Sequence, residues 1–383
     1  MLNGAPNETG DEESNVSSSP DSEFEPTVGA LDQHSELQIG TPQSRLRHIW
    51  SNPLGLSVLL LVTIGLKYGI SLHPNWFRFL DAAIRWPDAS SSLLAVGDRA
   101  LLSNVATSWL AGVLGATTEH SFIIFSAALT GLALILPILL APEGVARTFS
   151  QLYVLVAAGG SLAPVLLMWA GGYDALIVCA LVVGVLSRNQ WIAACGWFVA
   201  SFSHTSVAIF ALLLWAVFTL VDKPRNVVGI PSRSVLLSSS AVALGGLGIK
   251  LTTNFWGGST DRLTLFRAIP FEAVLQSYAQ AWVPILFSGL GVTWVLIFWK
   301  CIRVLRSTKI FFLLALGSII ILPLIAVDQT RITALILFPL LLSWIASVSF
   351  QIEIAKFKTL WRWMVIPALL IPMPVVWMGT TYW

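Results

Sequence analysis

The sequence predicts an all-α, polytopic helical membrane protein, and three observations predict it. Hydrophobic residues make up 56% of the 383 residues and charged residues only 11%, against about 25% charged in a soluble domain. Mean hydropathy is +0.78. Apolar runs near the length that crosses a bilayer core as a helix, about 20 residues, recur from residue 54 onward. A water-facing shell cannot be assembled from this composition, which excludes a soluble enzyme, a nucleic-acid binder and a secreted disulfide scaffold. Cys179, Cys195 and Cys301 lie in or beside apolar runs without CxxC spacing, so a cysteine zinc site is excluded as well.

The chain begins with a segment of another kind. Residues 1–40 hold nine of the 20 acids and no Lys or Arg, leaving 11 acids and all 22 bases to the other 343 residues. Rich in Ser, Pro, Asn and Gly, this stretch has too few large apolar residues to offset the entropy of ordering. Residues 1–48 therefore read as a disordered acidic cytosolic tail, and residues 49–383 as the transmembrane domain. A basic stretch followed by an apolar one, the mark of a signal peptide, is missing here.

Eleven spans follow in order: 54–72, 121–141, 150–170, 173–187, 190–203, 206–221, 235–249, 279–299, 310–327, 332–350 and 363–380. The stretch 190–221 is long for one span and tight for two. Cytosolic connections collect Lys and Arg, and this decides the matter. With eleven spans and the amino terminus inside, 14 bases fall inside, seven outside, and Lys67 within the first span. A single helix over 190–221 would put Arg188 or the Lys223 connection on the wrong side. Two short helices meeting near Ser203-His204 are therefore expected. Trp50, Trp169, Trp191, Trp299, Trp361 and Trp363 sit at span ends, where amphipathic rings favour the headgroup layer.

This topology sorts the acids. Outside the tail, Glu143, Asp222 and Glu353 face the cytosol, whereas the other eight face outward, concentrated in two long loops, 73–120 and 250–278. In the first, "NWFRFLDAAIRW" puts Trp76, Phe77, Leu80 and Ile84 on one helical face and Arg78, Asp81 and Arg85 on the other. That pattern predicts an in-plane amphipathic helix. The 16-residue apolar stretch after Asp98-Arg99 is short for a span and reads as a re-entrant or interfacial helix. Asp98 then reads as a first-turn charge favoured by the helix dipole or as a functional acid.

Three more polar spots lie at membrane depth. Asp174 starts a short span beside a Gly-Gly turn, His204 lies between two apolar half-helices, and Asp328 and Arg331 occupy a four-residue outer turn. Ionisable groups near hydrocarbon are paired or functional. Asp328 with Arg331 reads as a local pair or as part of a site, and His204 as a satisfied buried histidine or a catalytic one. No HExxH or other His cluster occurs, so no zinc site is expected.

A first span, an outer loop with an in-plane helix and acids ("FLDAAIRWPDASSSLLAVGDR"), then many spans with short connections resembles the GT-C class of multi-spanning glycosyltransferases. The resemblance is architectural and covers most of residues 50–383. The chain lacks the closely spaced acidic pair that many members carry in that loop, and the large outer domain some carry at the carboxyl end. The resemblance implies a polyprenyl-phosphate-linked sugar donor, a glycan or lipid acceptor, no nucleic acid and an optional divalent ion. It points to Asp98 as the base, or else Asp81 or Asp88. Arg99, Arg267 and Arg331 would contact phosphate, and Asp174, His204 and Asp328 would orient the sugar or assist the chemistry. The setting would be cell-envelope glycan or glycolipid synthesis at the outer face of the plasma (inner) membrane.

Two alternatives stay open. A transporter or flippase fits the short spans and the Gly pairs at 159–160 and 245–246, although no two-fold repeat is visible. Lys67 would be its deep charge, or would snorkel to the outer interface. A polysaccharide polymerase or ligase also uses outer-loop arginines on lipid phosphates.

Overall fold

The computed structural model describes residues 52–95, 99–222, 232–257, 270–291, 306–325, 329–351, 368, 370–377 and 380–382. The tail, residues 1–48, lies outside them. The described chain is helical: α1 (Pro53–Tyr68), α2 (Trp76–Ile84), a 3-10 turn (Arg99–Asn104), α3 (Ala106–Val113), α4 (Glu119–Leu139), α5 (Ala146–Gly159) and α6 (Leu162–Met168) come first. Then follow α7 (Asp174–Leu186), α8 (Gln190–Asp222), α9 (Ser232–Phe255), α10 (Phe271–Leu290), α11 (Arg306–Ile325) and α12 (Gln329–Gln351). A small antiparallel hairpin, β1 (Val375–Trp377) and β2 (Thr380–Tyr382), lies near the carboxyl end.

By length and composition, α4, α8, α9, α11 and α12 can each cross a membrane, and α5 with α6 forms a sixth, bent candidate. The shorter apolar helix α1 is likewise apolar on both its faces. In α1, Leu56, Leu60 and Ile64 are buried, while Leu54, Val58, Val62 and Leu66, four residues apart, are exposed. A helix apolar all round belongs in a large core or a bilayer. The core sits around α12, whose apolar stretch is 83% buried against 28% for α9. It packs on α8, α11, α7, α5 and α6.

Two breaks shape the bundle. The expected single span 150–170 bends by 61° between α5 and α6. The Gly159-Gly160 pair explains the break: Gly160 is extended, and a Cβ on it would press to 2.7 Å from the Val156 carbonyl oxygen. The last carbonyls of α5 then lack helical partners. Lys67 Nζ donates to one of them, Ala158 O, and to Ala368 O, each at 3.0 Å. Lys67 is thus held by backbone carbonyls inside the bundle.

The second break is at His204, whose φ of −161° and ψ of 88° interrupt α8. An unbroken helix would hold residues 197 and 215 about 27 Å apart at 1.5 Å rise per residue. Instead the Trp197 and Trp215 rings lie 5.4 Å apart. The halves 190–203 and 205–222 therefore lie side by side, and they meet where the charge pattern placed the turn.

Polar contacts group the helix ends. Glu143, between α4 and α5, pairs with Arg188, between α7 and α8, at 2.7 Å. Ser347 of α12 donates to Asp222 at the end of α8 at 2.9 Å. At the opposite end of α7 and α12, Asp174 and Arg331 meet.

Two segments expected on the outer side, and the last expected span, differ from expectation. The helix foreseen in the first outer loop is α2, but its buried face is Phe79, Ala82 and Ala83, while Phe77 and Ile84 are exposed. The reason is α3, which packs against α2 at Gly112, where a Cβ would strike Trp86 and the Ala83 carbonyl. The second outer loop is shorter than 250–278, because α9 continues to Phe255 and α10 starts at Phe271. The expected span 363–380 is not helical to its end, since residues 375–377 are a strand. Of its earlier part, Ala368 and Leu370 are helical, and residues 363–367 and 369 lie outside the described residues. Pro372 and Pro374 flank Met373 there, and proline removes helical donors. This segment instead threads between α1 and α12: Met373 N donates to Tyr68 Oη at 3.0 Å and Val376 N to Thr330 Oγ1 at 2.9 Å.

Candidate functional site

The site grows from the turn between α6 and α7. There Gly171 adopts φ of 83°, a left-handed conformation that glycine takes without steric cost. The turn is stitched to the α1–α2 linker. Ser71 N donates to Leu167 O at 2.9 Å and His73 N to Ala170 O at 2.7 Å, so residues 71–73 run beside 167–170 like a short strand. This brings the His73 ring edge-on to Trp169 at 5.1 Å and to Phe79 at 5.4 Å. The buried face of α2 thus reaches the same point.

On this frame Asp174, in the first turn of α7, meets Arg331, in the first turn of α12. Arg331 Nε donates to Asp174 Oδ2 at 2.6 Å and Nη2 to Oδ1 at 2.9 Å. The fork is bidentate and charge-assisted, the strong form of such a pair. Both side chains are nearly sealed, with exposures of 1% for Asp174 and 6% for Arg331. The Arg331 guanidinium carbon also lies 4.5 Å from the Trp169 ring centroid and 4.6 Å from that of Tyr173, within cation–π range. The cation is thus held by a carboxylate and by two aromatic rings.

Two histidines border the pair. His204 lies 5.5 Å from Tyr173, ring to ring. Its Nδ1 accepts from Val207 N at 3.4 Å, at the start of the second half of α8. His73 Nδ1 accepts from Asn75 N at 2.9 Å. Burial, and secondarily the charge of Arg331, push the His73 imidazole down to about 3, so it stays neutral and does not compete for Asp174.

Further polar groups lie along the same elements. Ser203 Oγ, beside His204, and Thr333 Oγ1, two residues past Arg331, are buried without a hydrogen-bond partner among the described residues. So are Thr107 Oγ1 and Ser108 Oγ of α3. Such groups are uncommon in folded proteins and call for an explanation. A cavity of about 30 Å³ lies at the α5–α6 break, lined by Tyr153, Gly160, Ser161, Gly289, Ala334 and Phe338 among others. It has room for a water, which needs at least about 10–15 Å³, and none for a sugar. Among the described residues no three His, Cys, Asp or Glu side chains gather to hold a metal ion.

Of the residues singled out from sequence, Asp174, His204 and Arg331 come together. Asp98, Arg267 and Asp328 lie outside the described residues, as does the side chain of Arg99, which opens the 3-10 turn. Two first-loop acids have local partners. Asp81 pairs with Arg85 at 3.1 Å and accepts from Leu93 N at 2.6 Å. Asp88 accepts from Ser90 N at 2.8 Å, a bond that holds its carboxyl below the ordinary range. His73, Trp169 and Tyr173 escaped sequence reasoning as site members. Trp169 resembled an interface anchor, yet the aromatic-Ala-Gly-Gly-aromatic-acid run "WAGGYD" was a signal available in the sequence.

The chain has no match among protein-family models, curated proteins or solved structures.

Proposed function

We propose that this chain is an integral membrane glycosyltransferase. It would act at the outer face of the plasma (inner) membrane, take a polyprenyl-phosphate-linked sugar as donor, and build a cell-envelope glycan or glycolipid. The observation that carries the reading is the buried Asp174–Arg331 pair between Trp169 and Tyr173. An ionised pair buried among apolar helices is costly, and such pairs mark functional sites in membrane proteins. The amino terminus would be cytosolic, with Arg188 and Glu143 on the inner side and Asp174 and Arg331 at the outer boundary.

The chemistry needs two kinds of group. The acceptor hydroxyl oxygen attacks the anomeric carbon, the bond from that carbon to the phosphate oxygen breaks, and the phosphate leaves with the bonding electrons. A carboxylate takes the hydroxyl proton, a role for Asp98 with Asp174 as its partner acid. Arginine forks stabilise the departing phosphate, a role for Arg331 together with Arg99 and Arg267. His204 and Asp328, with the unpartnered hydroxyls of Ser203 and Thr333, would bond the sugar.

A polymerase or ligase variant, in which both donor and acceptor are lipid-linked, would use Arg331 on a lipid phosphate in the same way. Lipid-linked sugar turnover in membranes with and without the protein tests both readings. Alanine at Asp98 should abolish transfer while leaving the protein level unchanged. Retained turnover removes Asp98 from the mechanism, and movement of the lipid-linked sugar without a glycan product would favour transport.

A further inference from the structure

We propose that Asp174 is a built-in stand-in for phosphate: the ligand's phosphate displaces its carboxylate from the Arg331 fork, and the freed carboxylate then faces the reacting groups. The identity of that ligand as a lipid-linked phosphate rests on the glycosyltransferase reading; the exchange does not.

The geometry of the pair is asymmetric. Arg331 offers Nε and Nη2 to two carboxylate oxygens at 2.6 and 2.9 Å, the planar fork an arginine equally presents to a phosphate. Its position does not depend on that partner alone. Trp169 and Tyr173 hold the guanidinium at 4.5 and 4.6 Å, and α12, which carries it, is the most buried of the long apolar helices. When the carboxylate leaves, the cation stays where it is.

Asp174 is the member to be displaced, because Arg331 keeps its two aromatic rings when the carboxylate bonds are given up. Asp174 follows the turn containing Gly171, and its helix begins only there. Swapping one anion for another keeps Arg331 neutralised throughout, and the displaced Asp174 carboxylate escapes the heavy penalty of a buried unpaired charge by taking up a proton, which is what makes it a proton acceptor. A neutral or cationic ligand would leave Arg331 unpaired, and an arginine, unlike a carboxylate, cannot be neutralised by exchanging a proton. The closed pair is therefore selective for an anion with at least two in-plane oxygens. It also links binding to chemistry, because the carboxylate becomes available as a proton acceptor only after the phosphate is seated.

The test uses the purified full-length protein in detergent, with inorganic pyrophosphate and farnesyl phosphate as separate probes. In the unaltered protein, carbodiimide labelling of Asp174, mapped by mass spectrometry, should rise several-fold when either probe is added. Labelling that stays flat or falls with both overturns the exchange. Asp174→Asn should bind pyrophosphate about tenfold more tightly than the unaltered protein, equivalent to 1.4 kcal/mol, because the internal competitor is gone. Equal or weaker binding overturns it. The double variant Asp174→Asn/Arg331→Gln should lose this gain, and a retained gain would place the phosphate elsewhere. If Asp174→Asn does not accumulate, the labelling of the unaltered protein decides. A response to pyrophosphate without one to farnesyl phosphate supports exchange with a free phosphate and counts against the lipid. Exchange with both probes but no sugar turnover upholds the inference and removes the glycosyltransferase reading.

Discussion

Arg331 is one of 22 basic residues, and its partner lies 157 positions away. Nothing local in the sequence joins them; what brings them together is that α7 and α12 both begin at the same end of the bundle. Sealed at 1% and 6% exposure, the pair is vulnerable to loss of one member, which strands a buried charge at a cost of about 3–5 kcal/mol. Arg331→Gln alone should therefore destabilise the protein strongly, and adding Asp174→Asn should recover part of the loss. A double-mutant cycle on unfolding in detergent checks this; strictly additive losses would mean the two side chains do not interact. His73 gives a pH signature. The unfolded imidazole binds its proton near 6.5 and the folded one only near 3. Between those values the unfolded chain holds more protons, so stability falls as pH drops through 6.5, by at most about 1.4 kcal/mol per pH unit. His73→Phe should lose less thermal stability between pH 7.5 and 5 than the unaltered protein, and an equal loss would contradict the burial of a neutral His73.

At the scale of elements, the break in α8 was legible from charge, whereas the break at Gly159-Gly160, inside the expected single span 150–170, was not. Gly159-Gly160 ends α5, and the bases flanking 190–221 require the turn at His204. What sequence could not supply was the choice of partner. The residues of α2 allow two faces to be buried, and the choice of Phe79, Ala82 and Ala83 is made by α3 at Ala83 and by His73 and Tyr173 at Phe79. The apolar run 363–380 is hydrophobic enough for a span, yet after Ala368 and Leu370, which are helical, Pro372 and Pro374 leave residues 372–377 to pass between α1 and α12 in extended form. The folded-back α8 depends on close backbone approach: a Cβ on Gly196 would lie 2.6 Å from both the Ala180 carbonyl oxygen and the Gly184 nitrogen. Gly196→Ala should cost about 1–3 kcal/mol, as overpacking does, through separation of α7 from α8. Thermal unfolding measures it, and a neutral effect would show that the two helices can move apart freely.

For the whole molecule, burial is arranged for a bilayer. Apolar side chains cover the outside, and the ionised pair is inside. The grouping of ends gives a direct test of sidedness. Single cysteines at Glu143 and at Ser91, in a chain without its natural cysteines, should react with an impermeant thiol reagent from opposite sides of the membrane, Ser91 from the outside. Reaction of both from one side would overturn the proposed topology.

The sequence by itself determined the solvent. A charged fraction of 11% and repeated long apolar runs leave only a bilayer in which to fold, and the polar residues that interrupt those runs had to be few and purposeful. It also named Asp174, His204 and Arg331 individually, because an ionisable group at such positions stands out against hydrocarbon. The tertiary structure decided which of these meet, and that Trp169, Tyr173 and His73 complete their surroundings. The physical reason is that pairing of buried charges is a long-range contact, set by how helix ends align after packing. A one-dimensional pattern records the period of each helix but not which end lies beside which.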